Sequence, residues 1–314
     1  MLTIVGPTAT GKTGVAVAIA RELGAEILSG DSRQIYRAMT LGTGKDLSDY
    51  TEGGPPVPYH LIDIANPGEK YSIFSFQHDF LRAYRDICAR GRLPMLVGGS
   101  GLYVESVLQG YRMTPVPQNE ALRESLRGKT LEELTVILKS YGKKLHNTTD
   151  TDTPRRAIRA IEIEDYYKSH PVEEEEFPRI RSLNFCLTLP REMRWERIRR
   201  RLDERLEAGM ADEIRALLGL PSPVTLPEGV KAITPEQLMY YGLEYKYITL
   251  YVLGRMSLEE MREELYIAIR QFAKRQMTWF RGMERRGIPL IYIDASRPAA
   301  DTASEILRIW RERT

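Results

Sequence analysis

Residues 1–14 read MLTIVGPTATGKTG, and within them Gly6-Pro7-Thr8-Ala9-Thr10-Gly11-Lys12-Thr13 satisfies the pattern G-x-x-x-x-G-K-[ST]. A loop of that form turns its backbone amides toward a di- or triphosphate; its lysine reaches the terminal phosphate and its Ser or Thr hydroxyl ligates Mg²⁺. The loop needs a strand before it and a helix after it. Leu2–Val5 is an apolar run that leads straight in, and over 11–23 Val15, Ala16, Ile19, Ala20 and Leu23 recur at helical spacing. Gly6, Thr8, Ala9, Thr10, Gly11, Lys12 and Thr13 are therefore the candidate phosphate-binding residues, with Thr13 the candidate Mg²⁺ ligand. The motif alone admits kinases, ATPases and transferases that release diphosphate.

Outward from the loop, further strands are predicted at 26–28, 60–64, 93–97, 183–189 and 288–294, with helices at 74–89, 192–218, 235–253, 257–285 and 299–311. The 93–97 run, LPMLV, is apolar throughout, as a strand buried on both faces requires. Strand–helix alternation of this kind implies an α/β fold, a parallel sheet flanked by helices with ligands at the carboxyl ends of its strands. Residues 119–180 differ, with helical patches such as LEELTVILKSY, little strand signal and a polar, proline-bounded break, HPVEEEEFPRI. They are read as a helical insertion in a core formed by 1–118 and 181–314.

Composition limits the remaining classes. The 314 residues are 42% hydrophobic and 28% charged with a net charge of +2, so a nucleic-acid partner must be met by a local basic patch. Cys88 and Cys186 make neither a disulfide framework nor a zinc cluster, and a reduced, cytoplasmic chain is expected. No signal peptide precedes the loop, and no apolar run approaches the ~18 residues of a membrane span.

Two more segments belong at the sheet edge. In SGDSRQIYRAMTLGTGKD, Asp31 follows the second strand and is a candidate base; a helix cap or a Mg²⁺ ligand is the alternative. Ser32, Arg33, Gln34 and Tyr36 add polar and stacking groups, and Lys45 could meet phosphate or simply be solvated. In LVGGSGLYVESVL, glycines after the 93–97 strand bring the Ser100 hydroxyl to the edge that holds Asp31. No acidic residue ends that strand, which argues against an ATP-hydrolysing motor.

These pieces in this order resemble the tRNA dimethylallyltransferase (tRNA isopentenyltransferase) family, bacterial type. GPTATGKT, DSRQIY, GTGKD, PYHLIDI, LVGGSGLY, RRAIRAIEI at 155–163, RIRRRLDERLEAGMADEIRALL and RQFAKRQMTWFR at 270–281 each stand where the family carries a related segment. The resemblance implies a P-loop NTPase-like fold and transfer of a dimethylallyl group from dimethylallyl diphosphate to N6 of adenosine 37 of tRNA, beside the anticodon. It implies that the loop, Lys45 and Arg201 hold the diphosphate with Mg²⁺, and that Asp31 and Ser100 act at the reacting centre. The adenosine leaves its stack to enter the site, and the insertion grips the anticodon stem-loop. It also implies tRNA contacts from Asp31, Ser32, Arg33, Gln34, Ser100, Arg123, Arg155, Arg156, Arg159, Lys274, Arg275 and Arg281, in a monomeric enzyme. The insertion looks short, and LMYYGLEYKYITLYVLG replaces a segment of the I-G-Y-[RK]-Q type.

Helical spacing also puts Arg194, Arg197, Arg201 and Arg205 on one face and Arg270, Lys274 and Arg281 on another. Either stripe can bind phosphates or be a solvated face, the first neutralised by Asp203, Glu204 and Glu207. Trp279 and Phe280 read as core residues. The competing functions are an adenylate isopentenyltransferase acting on free AMP, ADP or ATP, an ATP-dependent small-molecule kinase, and an RNA-binding protein with a vestigial loop.

Overall fold

The computed structural model describes residues 1–111, 116–142, 151–170 and 177–314. They form two compact units, Met1–Gly110 with Pro178–Thr314, and Tyr111–Phe177.

The larger unit begins with β1 (Leu2–Val5), α1 (Lys12–Leu23), β2 (Ala25–Ser29), α2 (Ser48–Thr51) and β3 (Tyr59–His60). It continues with α3 (Ile73–Ala89), β4 (Leu93–Gly98) and α4 (Gly101–Leu108). All strands pair in parallel, in the order β3-β2-β4-β1 with β5 (Leu183–Thr188) and β6 (Ile291–Asp294) completing the sheet beyond β1. The largely apolar runs of β1 and β4 have the form demanded by burial on both faces, and the buried acid of β2, Glu26, is held by Arg90 and His60. Leu2, Ile4, Ile27, Met95 and Phe185 pack with Val15, Ala16 and Ile19 of α1 in the main core. The third strand, predicted at 60–64, pairs only over Tyr59–His60. Leu61 and Asp63 beyond it have φ of 66° and 56°, outside the extended range a ladder needs.

In the second unit lie α5 (Glu120–Leu126), α6 (Leu131–Ser140) and α7 (Pro154–Ser169). Leu126, Leu134, Leu138, Ala157, Ala160 and Ile161 close a small core of their own. Thr130 and Glu133 form a reciprocal cap for α6, and Pro154 stands in the first turn of α7, where its missing N–H leaves no intrahelical bond unmade. Residues 143–150 and most of the polar break fall outside the described residues.

The chain then enters α8 (Arg191–Glu207), α9 (Met210–Leu217), α10 (Pro235–Met239), α11 (Leu243–Val252), α12 (Leu258–Arg285) and, after β6, α13 (Ala299–Arg313). Two helices that the sequence pattern makes continuous are each broken. Gly209 at φ 94° parts α8 from α9, and Gly242 at φ 152° parts α10 from α11. Both conformations favour glycine and interrupt the helical bond ladder. The breaks fold α9 and α11 back, so that Met210, Ile214, Leu238, Tyr245 and Ile248 join Ile198, Leu265 and Ile269 in a second core. Among the described residues, no helix is long and apolar enough to cross a membrane.

Candidate active site

The phosphate loop joins β1 to α1 and is shaped by contacts on its outer side. A Cβ on Gly6 would lie 2.9 Å from the Leu187 carbonyl oxygen, so only glycine lets the loop lie on β5. The Thr10 hydroxyl and the Lys12 ammonium each donate to the Pro7 carbonyl at 2.9 Å. Gly11 precedes α1 at φ 77° without a side-chain cap, so the first N–H groups of α1 remain available to an anion. Gly6 and Thr10 set this shape from behind, whereas Thr8, Ala9, Gly11, Lys12 and Thr13 line a cavity of about 710 Å³.

The same cavity takes in the ends of β2 and β4. These strands approach so closely that a Cβ on Gly98 would be 2.3 Å from the Gly30 carbonyl oxygen. That approach carries Asp31, Ser32 and Ser100 to one wall. The Ser100 hydroxyl leaves its own helix uncapped; it accepts from the Ser32 N–H at 2.9 Å and donates to the Ser32 hydroxyl at 3.1 Å. Asp31 accepts the Arg33 N–H through Oδ1 at 3.0 Å. Gln34 lines the wall with its side chain held by the Ser29 hydroxyl and the Gly44 carbonyl.

Cations converge on the loop. Arg201 of α8 faces the cavity and its guanidinium donates to the Thr8 hydroxyl. Burial lowers the Arg201 pKa to about 10, with Arg205 pressing in the same direction. Burial likewise lowers that of Lys12 to about 8, with Asp31 and Cys186 opposing and Arg201 reinforcing the shift. Two cations held at such a desolvation penalty are ready to be stabilised by an anionic ligand. Burial raises the pKa of Glu244, which also lines the cavity.

Other candidate residues have different surroundings. Lys45 is neither solvated nor on the cavity wall: its ammonium is fully buried, donates to the Tyr36 carbonyl at 2.6 Å and pairs with Asp63. A buried ammonium must have such partners, and satisfying them turns Lys45 away from the phosphate loop. The α8 stripe divides, with Arg201 and Arg205 on the cavity and Arg197 donating to the Ala295 carbonyl at 3.4 Å. Arg205 is neutralised by Asp46 at 2.9 Å, and not by the acids of its own helix. Arg275 lines the cavity, whereas Lys274 and Arg281 are exposed. Trp279, expected in the core, instead lines the cavity, because Gly101 leaves the space its indole fills: a Cβ there would be 2.2 Å from the ring.

Within Tyr111–Phe177, Arg123 and Arg159 are both bound to the buried carboxylate of Glu162, which also accepts the Asn119 N–H. Arg155 is exposed, as is Arg156, which pairs with Asp152 at 2.9 Å.

Two further residues of the site lie inside the RQFAKRQMTWFR and RIRRRLDERLEAGMADEIRALL segments, where sequence alone gives them no role. Gln276 of α12 accepts the Thr8 N–H and donates to the Gly99 carbonyl, both at 2.9 Å, and so bolts the phosphate loop to the Ser100 turn. Glu213 of α9 accepts the N–H groups of Thr40, Leu41 and Gly42 and the Tyr245 hydroxyl, fixing the loop that follows Asp31. The sequence signal for Gln276 is a polar residue on the apolar face of α12, masked by its basic neighbours. Among the described residues, no group of three His, Cys, Asp or Glu side chains could hold a metal ion by itself.

Comparison with known proteins agrees with this geometry. The family model for IPP transferase matches residues 34–283, and that for isopentenyl transferase matches residues 1–54. The chain is 56% identical to tRNA dimethylallyltransferase 1 of Parabacteroides distasonis, covering 98% of this chain and 97% of the relative. It is 58% identical to tRNA dimethylallyltransferase 2 of Bacteroides fragilis strain ATCC 25285, covering 99% and 98%. Among solved structures, the tRNA isopentenylpyrophosphate transferase of Bacillus halodurans superposes with a TM-score of 0.68 at 32% identity, over 99% of this chain and 95% of that one. A eukaryotic dimethylallyltransferase acting on tRNA shares the fold, with a TM-score of 0.76 at 22% identity over 98% of this chain and 77% of that one.

Proposed function

The chain belongs to the IPP transferase family, and on that premise we propose that it transfers a dimethylallyl group from dimethylallyl diphosphate to N6 of adenosine 37 of tRNA, releasing diphosphate. The observation that carries this reading is a single cavity lined by Lys12, Thr13, Asp31, Ser100 and Arg201. An allylic C–O bond breaks readily when the charge growing on the leaving diphosphate is stabilised. The loop amides, Lys12 and Arg201 are donors suited to that task. The exocyclic amine is a weak nucleophile; as carbon bonds to nitrogen, Asp31 accepts its proton and Ser100 orients the adenine edge.

The Thr13 hydroxyl lines the cavity at the start of α1, a donor that fits Mg²⁺ held jointly with diphosphate oxygens and water. Bound there, Mg²⁺ supplies further neutralisation of the diphosphate. The setting is a monomer in the cytoplasm. Tyr111–Phe177 is assigned the grip on the anticodon stem-loop, with Arg155 and Arg156 as phosphate contacts and Arg123 and Arg159 shaped by Glu162.

The test offers labelled dimethylallyl diphosphate with tRNA, AMP and ATP as rival acceptors. Label is expected in tRNA at an adenine N6, without any need for ATP. Transfer to AMP or ATP alone, or phosphoryl transfer from ATP, overturns the reading.

A further inference from the structure

One aromatic ring at the cavity has no part in the reaction just described. Tyr240, at the end of α10, lines the cavity and is 67% exposed. It stands on a fixed base: the next residue, Tyr241, is buried, its hydroxyl accepts the Gly68 N–H at 2.6 Å, and its ring meets that of Tyr36 edge-on at 4.6 Å. Above Tyr240 lies the guanidinium of Arg33, 5.7 Å from the ring centroid, and Arg33 follows Asp31 by two residues. Phe272, 40% exposed, is a second apolar element of the cavity wall.

Unstacked RNA bases are held on aromatic rings and arginine planes, whose faces serve any base. An adenine whose amine reaches Asp31 fills the interior of the cavity, and its flanking nucleotides must lie at the mouth. We propose that Tyr240, with Arg33, is a stacking platform for the base adjoining the acceptor adenosine, and so a specificity-determining residue for single-stranded RNA over free nucleotides. The proposal rests on the reaction assigned above. It is distinct from that reaction, since a mononucleotide has no flanking base to place there.

Anticodon stem-loops carrying 2-aminopurine on either side of the acceptor adenine test it. The wild-type enzyme is expected to quench the fluorophore at one of these positions. Tyr240→Ala should lose that quench and raise KM for the stem-loop about 10-fold, the range of one base–aromatic stack. KM for dimethylallyl diphosphate should stay unchanged, and Tyr240→Trp should restore both quench and KM. Tyr240→Ala with wild-type quench and KM overturns the platform and leaves the transferase reading intact. A wild-type enzyme that quenches normally but transfers no dimethylallyl group to any RNA overturns the transferase reading and leaves the platform standing. Absence of quench at both positions in the wild-type complex overturns the platform directly.

Discussion

Asp31 and Lys12 carry the sharpest consequences at the scale of single residues. Asp31→Asn keeps the size of the side chain and an acceptor for the Arg33 N–H but removes the base, so single-turnover transfer should slow by ~10²–10⁴. Affinity for dimethylallyl diphosphate should hold, because a carboxylate does not bind phosphate directly; loss of both would make Asp31 a metal ligand. Lys12 titrates from a folded value of about 8, set by burial, against 10.5 when exposed. Between these values the unfolded chain binds the extra proton, so Lys12 favours folding increasingly as pH rises from 8 to 10.5, while below 8 the buried charge is a standing penalty. Binding runs in the opposite direction. Dimethylallyl diphosphate affinity should fall as pH rises past about 8, and Lys12→Ala should bind weakly with no such inflection, as calorimetric titration across pH 7–10 would reveal. Gln276 is illegible in the sequence for a different reason. Its function depends on which main-chain groups of two distant loops meet it, and helical period says only that it faces inward.

Among the elements, the strands are readable because burial on both faces leaves an apolar run that fits little else. The helix breaks at Gly209 and Gly242 are not, since a glycine in a helical pattern marks either a tolerated flaw or a reversal, and tertiary packing decides which. Trp279 departs from its pattern on similar grounds: an indole on the inner face of α12 reads as core, and it stands at the cavity wall because Gly101, without a side chain, leaves room for the ring. The approach of β2 to β4 yields a prediction at this scale. Gly98→Ala would drive a methyl group into the backbone of Gly30, where no side chain can give way. Thermal denaturation should register a loss of at least ~1–3 kcal/mol, and transfer should fall with it because Asp31 and Ser100 lose their shared wall.

Charge is the property to follow at the level of the molecule. A net charge of +2 gives tRNA little general attraction, so binding depends on which arginines lack a carboxylate of their own. Arg123 and Arg159 share Glu162, so removing Arg123 should lower the stability of Tyr111–Phe177 as well as RNA affinity. Arg155→Gln, at an exposed arginine with no such carboxylate among the described residues, should instead leave melting unchanged and reduce the salt slope of tRNA binding by about one unit for the phosphate no longer neutralised. Filter binding at low and high salt separates the two outcomes; equal slopes for all variants would make both faces ordinary surface. The sheet order holds a consequence for biosynthesis. β1 gains its β4 flank by Gly98, but its other flank waits for Leu183–Thr188. On a ribosome that wait lasts on the order of ten seconds, during which the nascent phosphate loop borders an open sheet edge. Gln276, which locks the loop, emerges later still, so the chain commits to its ligand site only once α12 has been made.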